Sequence, residues 1–242
     1  MIKLPTANYP IHTFHIPSLD RDCRFRPFLV KENKALMIAQ GTEDPVVMVN
    51  TLKSVIQSCA LDELNVDDLA VFDCEYLLIK LRAISVGEEA TVMLQCSDEH
   101  DGNEASRVFG VACDLNKVEV VGLENFNPNV KLSDNLMVKM SAPTIESLQA
   151  MSDTNEENEY ETNFKIVTSL IKEIVTPDEV IDCSEIDPAD MKEWVENLTT
   201  DEYSKILDFV QNLPRVQLRV EWDCPFCGKH NVRYLSGLMV FF

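Results

Sequence analysis

The chain has 242 residues, 45% of them hydrophobic and 26% charged, with 41 acidic against 21 basic side chains and a formal net charge of −20. That apolar share suffices for a core and excludes a disordered tail, a disulfide-stapled miniprotein and a glycine-rich scaffold. The charge works against binding a phosphate backbone or an anionic membrane, which leaves proteins or small cations as partners, with solubility as the simplest use of the charge.

No apolar run reaches the roughly 18 residues of a membrane helix. The start, Met1-Ile2-Lys3-Leu4-Pro5, lacks the apolar stretch of a secretory signal. The chain is therefore expected to fold in a cytoplasm. Its eight cysteines are then expected to be thiols or metal ligands rather than disulfides.

Residues 1–30 read as an extended N-terminal segment, punctuated by Pro5, Pro10, Pro17 and Pro27. Ile11 to Ile16 alternates in type. His12 and His15 would lie on opposite faces of a strand there, a poor geometry for sharing a metal. Residues 31–89 read as helical. A first helix over 31–41 stops at Gly41, and Asp44-Pro45 opens a second with Val46, Val49, Leu52, Val55, Ile56 and Cys59 at helical spacing. Asp67 and Asp68 start a short third helix. Phe72, Tyr76, Leu77, Leu78, Ile79, Leu81 and Ile84 then make a longer one, apolar on most of its circumference and ended by Gly87.

The period changes at residue 90, and 90–142 reads as a β region. A strand over 91–96 ends at Cys96, a polar turn covers Ser97–Asn103, and a strand returns over 106–113. Lys117–Val121 and Leu136–Met140 add further strands. The region 143–214 reads as helical again. Pro143 opens a short helix to Met151. The acidic run Ser152–Glu159 is a solvated loop or a helix start. Helices are expected over 160–175, 188–197 and 200–212, and Pro214 breaks the last. The segment 215–242 reads as a C-terminal hairpin. Val216, Leu218, Val220 and Trp222 alternate with polar residues up to Cys224, and Asn231–Leu235 returns. The end, Leu238–Phe242, is apolar. It either closes the core of this small sheet or docks on a partner.

Cys224-Pro225-Phe226-Cys227-Gly228 is the sharpest motif. Two thiolates converge on one ion, and the glycine lets the backbone turn beneath them. A closed structural zinc site needs four ligands, so the knuckle supplies half. The strand–Cys–turn–strand pattern at 91–110 echoes the one at 217–235, and Cys96 and His100 occupy its turn. The expected site is Zn2+ held by Cys96, His100, Cys224 and Cys227, with the two knuckles about 125 residues apart against the usual 15 to 20 or so. His230, Asp98 and Cys113 are the substitutes for His100; His230 could instead support the knuckle through a hydrogen bond. With four protein ligands the metal would be structural and would not activate water. The fold class that follows is α+β: helical layers with a small antiparallel zinc-ribbon-like unit in which 215–242 pairs with 90–142.

Two other chemistries are open to the Cys pair. A redox pair is one, although thioredoxin-like pairs start a helix within a βαβ unit and this one lies between two strands. A nucleic-acid-binding zinc ribbon is the other, and the charge opposes it. Catalytic signatures are absent: there is no phosphate loop, no Gly-x-Ser-x-Gly and no His-Glu-x-x-His. No catalytic residue is expected, and the protein reads as non-enzymatic.

The chain resembles the baseplate hub assembly proteins of T-even-type contractile-tailed bacteriophages. The resemblance begins at Phe25-Arg26-Pro27-Phe28-Leu29-Val30-Lys31-Glu32-Asn33-Lys34 and continues through Asp73–Glu88. It takes in Cys96, Asp114–Val118, the Cys224/Cys227 knuckle and the ending Gly237–Phe242. It implies an assembly factor or minor component of the tail hub, acting through contacts with hub or tail proteins as a homo-oligomer or hetero-complex. It further implies work in the host cytoplasm during assembly, and a place in the virion baseplate if the protein stays. The family often carries Cys pairs at both knuckles. Here His100 stands where the second Cys of the first knuckle would be.

Overall fold

A computed structural model describes residues 8–42, 44–97, 108–145, 147 and 159–237. The chain is an α+β protein that divides into two compact units. Unit 1 is Met1–Val121 with Arg215–Phe242, and unit 2 is Gly122–Pro214. The expected β region 90–142 contributes strands to both.

Unit 1 opens with a hairpin of β1 (His12–Ile16) and β2 (Arg21–Phe25), antiparallel with Phe14 opposite Cys23. Ile16, Cys23 and Phe25 point inward and are buried. Asp20 turns the chain in the left-handed region, at φ 46°, a conformation Asp tolerates better than most residues. The segment read only as extended thus contains an ordered hairpin. An isolated bridge joins Phe25 to Ala60.

Helices α1 (Val30–Thr42), α2 (Pro45–Cys59) and α3 (Val71–Ser85) follow. Asp44 caps α2 by accepting from the N–H groups of Val46 and Val47, and Pro45 sits where its missing N–H costs nothing. The third helix expected at 67–68 is a single 3-10 turn, Val66–Asp68, capped by Asn65. In α3, Phe72, Asp73, Cys74, Leu77, Leu78, Ile79, Leu81 and Ala83 are buried, so it is covered nearly all round.

Hairpin β3 (Glu89–Gln95) and β4 (Val108–Asp114) has its inner face on the pairs Ala90–Cys113 and Val92–Val111. A three-stranded sheet has the order β11–β10–β5, with β5 Glu119–Val121, β10 Arg215–Asp223 and β11 His230–Leu235. Val216, Leu218, Val220 and Trp222 form the buried stripe of β10, the alternation of a half-buried strand. The last segment of the chain therefore closes a unit begun by the first.

Unit 2 has a four-stranded antiparallel sheet, β6 (Asn129–Lys131), β7 (Met137–Met140), β8 (Ile171–Val175) and β9 (Val180–Asp182), in that order. It also holds helices α4 (Glu159–Ser169), α5 (Pro188–Glu196) and α6 (Thr200–Gln211). Val138, Met140, Phe164, Ile171, Ile174, Met191 and Ile206 lie in its core. A capping box of Thr199 and Glu202 starts α6.

The helix expected over 160–175 ends at Ser169, and Ile171–Val175 is a strand. The reason is a register shift between β7 and β8 at Lys139/Met140. It lets Ile171 and Ile174, three residues apart, both face the core. The bulge gives a strand the spacing of a helix.

Candidate metal centre

Cys96 follows β3 directly, on its inward-facing parity, and is 4% exposed. Cys224 follows β10 and is also buried, whereas Cys227 sits exposed on the turn toward β11. That turn closes through two backbone bonds. Gly228 N–H donates to the Cys224 carbonyl at 2.9 Å, and Cys224 N–H to the Lys229 carbonyl at 2.8 Å. Gly228 has φ +71°, a conformation in which a side chain is strained. This is the turn the Cys-x-x-Cys-Gly spacing requires.

The sulfurs of Cys96, Cys224 and Cys227 all lie within 4.8 Å of one another, and Cys96 Sγ is 3.9 Å from Cys227 Sγ. Tetrahedral zinc with Zn–S bonds of about 2.3 Å sets its thiolates roughly 3.8 Å apart. Among the described residues no disulfide joins these cysteines. Three soft sulfur donors at that spacing suit zinc by donor type and by distance.

Burial opposes ionisation of Cys224, but the N–H groups of Cys227 and Phe226 outweigh it and hold the thiol below its ordinary value. Cys227 moves the other way: the Lys229 N–H favours its thiolate, but burial and the Cys224 and Cys96 sulfurs outweigh it and raise the thiol. The scattered cysteines are raised as well. Burial pushes Cys59 up to about 11 and Cys74 up to about 12, and it also raises Cys23, Cys113 and Cys183. Those five are small apolar fillers.

His100 and Asp98 lie outside the described residues, as do the acidic run at 152–158 and the apolar end at 238–242. His230 is exposed and stands opposite Asp223 in the β10–β11 pair, its Nδ1 2.9 Å from Asp223 Oδ1. Its ring is not among the clustered ligand atoms, and neither is the sulfur of Cys113, which packs inside the β3–β4 hairpin. Phe109 packs edge-on against both Trp222 and Phe226, with centroids 6.4 and 6.3 Å apart, and so ties β4 to the knuckle.

Asn231 is a candidate functional residue that no motif in the sequence singles out. It is 5% exposed and opposes Trp222. Its Oδ1 accepts from Ser97 N at 3.1 Å and from Ser97 Oγ at 3.0 Å, and its Nδ2 donates to the Lys229 carbonyl at 2.8 Å. The one available signal is its place at an inward position of β11 just after the knuckle, where a polar side chain needs partners.

A family model described as T4 bacteriophage base plate protein matches residues 8–242. Neither a search of curated proteins nor one of solved structures finds a match. The matched stretch runs from the first hairpin through both Cys-bearing hairpins and includes the three clustered sulfurs. By that match, the chain belongs to the T4 bacteriophage base plate protein family.

Proposed function

We propose that the protein is a non-enzymatic assembly factor or component of the tail baseplate hub, stabilised by a structural Zn2+. The supporting observation is the family match over 8–242, which makes contact with other tail proteins the expected mode of action. No helix among the described residues is long and apolar enough to cross a membrane. Assembly in the host cytoplasm, followed by a place in the virion tail, is the setting this reading assigns. Unit 2 holds 20 acidic and 6 basic residues, a net of −14 of the chain's −20. A basic partner surface would be steered toward it, with a rate that falls as salt rises.

Cys96, Cys224 and Cys227 would hold the zinc, with His100 as the fourth ligand. The metal would pin two hairpins whose cysteines lie 131 residues apart in sequence, and its binding energy would add to the folding of unit 1. Such a site leaves no open position for water. The test combines elemental analysis of the purified chain with co-migration of the chain and hub proteins of its phage on a sizing column. One zinc per chain, lost in Cys224→Ser, together with a stable complex, supports both parts. Zinc without a complex sinks the hub role, and no zinc sinks the metal.

A further inference from the structure

Asn231 has a use that the three sulfurs alone do not explain. Ser97 N–H can only donate and the Lys229 carbonyl can only accept, so these two partners fix which end of the amide is oxygen and which is nitrogen. With that orientation set, one hydrogen of Nδ2 goes to Lys229 and the other faces the sulfur of Cys96, 3.7 Å away. The same Lys229 carbonyl receives the N–H of Cys224. A single buried side chain thus links Cys96 and Ser97, at the end of β3, to the backbone that shapes the Cys224–Cys227 turn. Across those 135 residues of sequence it touches both halves of the sulfur cluster.

We infer that Asn231 is the positioning residue of the metal centre. It donates Nδ2–H to the Cys96 thiolate and holds that sulfur in register with the knuckle. This rests on the metal reading above. A hydrogen bond to a metal-bound thiolate draws electron density from the sulfur and fixes its direction, and loss of such a partner typically weakens metal binding about 10- to 100-fold. Aspartate in its place keeps the shape, removes the donor and sets a negative charge against the thiolate.

The experiment is a Co2+ titration of the full chain, followed by the thiolate-to-cobalt absorption and by competition with a chelator. Asn231→Asp is expected to hold cobalt at least about tenfold more weakly than the wild type. Asn231→Ala is expected to move the thiolate band to lower energy. Ser97→Ala keeps the Nδ2 contacts and should leave the band in place, which separates a specific hydrogen bond from general loosening. Equal cobalt affinity in wild type and Asn231→Asp overturns the assignment and leaves the metal site standing. A weakening that merely follows loss of fold, with an unmoved band in Asn231→Ala, also overturns it. A wild type with no thiolate band overturns the metal reading and this assignment with it.

Discussion

Arg26 Nη2 lies 2.8 Å from Glu32 Oε1, and the two side chains are only 7% and 5% exposed. The other carboxylate oxygen of Glu32 accepts the Leu29 N–H at 2.8 Å, so one residue both neutralises a buried guanidinium and satisfies a free donor at the start of α1. The Arg26 side chain also reaches the Pro27 carbonyl and the Cys59 sulfur. Removing one partner leaves the other charged and buried. Arg26→Met and Glu32→Gln are each expected to cost about 3–5 kcal/mol, with the double variant less damaging than the sum. Urea unfolding of the three variants checks this, and additive losses would show that the two groups act independently.

The pH dependence of stability has two opposing contributors. Burial alone would raise the Glu32 carboxyl, but Arg26, the Leu29 N–H and Lys31 outweigh it and hold Glu32 below 4.5, its ordinary value. Its stabilisation is present above that value and is lost as pH falls through the lowered one. Asp73 runs the other way. Burial raises it above 3.8, only partly offset by Ser18, and its Oδ2 has no hydrogen-bond partner among the described residues. Its favourable contribution is present below 3.8 and is lost as pH rises through the raised value. Asp73→Asn keeps an acceptor for Ser18 N–H and should raise the melting temperature at neutral pH. That gain should shrink on acidification, whereas the deficit of Glu32→Gln should shrink in the same direction. Melting curves between pH 3 and pH 8 test both slopes.

Gly110 is required by close approach. A Cβ there would lie 2.7 Å from Cγ2 of Thr91, across the β3–β4 pair. Thr is stiff at its branched carbon and gives way poorly. Gly110→Ala is expected to cost about 1–3 kcal/mol, and Thr91→Ser in the same chain should recover most of the loss. A double variant as unstable as Gly110→Ala alone would refute the clash.

At Gly228 the demand comes from the backbone, since nothing lies within 4 Å of a Cβ built there while φ is +71°. Gly228→Ala should therefore lower stability by about 1–2 kcal/mol, and Gly228→Asn by less, because Asn tolerates the left-handed region. On the zinc reading proposed above, both should also lower zinc retention in the same order. Chelator competition on the two variants measures it, and equal retention would detach the turn from the metal.

Much of this fold is written in local pattern. The all-round apolar sequence of α3, the Asp44-Pro45 start of α2 and the alternation of β10 each follow from spacing and end signals. The strand at 171–175 does not, because the register shift that lets Ile171 and Ile174 share a face belongs to its pairing with β7. The site divides in the same way. Cys224, Cys227 and Gly228 form a contiguous motif, and Cys96 is legible through the similarity of two hairpins. Asn231 is not legible there, because its meaning depends on Ser97, 134 residues earlier.

Unit 1 is written in two separate stretches of the chain, 1–121 and 215–242, with unit 2 between them. During synthesis, β5 leaves the ribosome long before β10, its partner. Phe109 of β4 and the Cys96 thiol must wait for their partners Trp222 and Cys227 in 215–242, whereas unit 2 is contiguous and can fold as it emerges. A chain interrupted before residue 215 lacks β10 and β11, and with them Cys224 and Cys227. Only a chain that extends through 215–235 can bring the three sulfurs together, so the fold itself separates such chains from shorter fragments before any of them meets a partner.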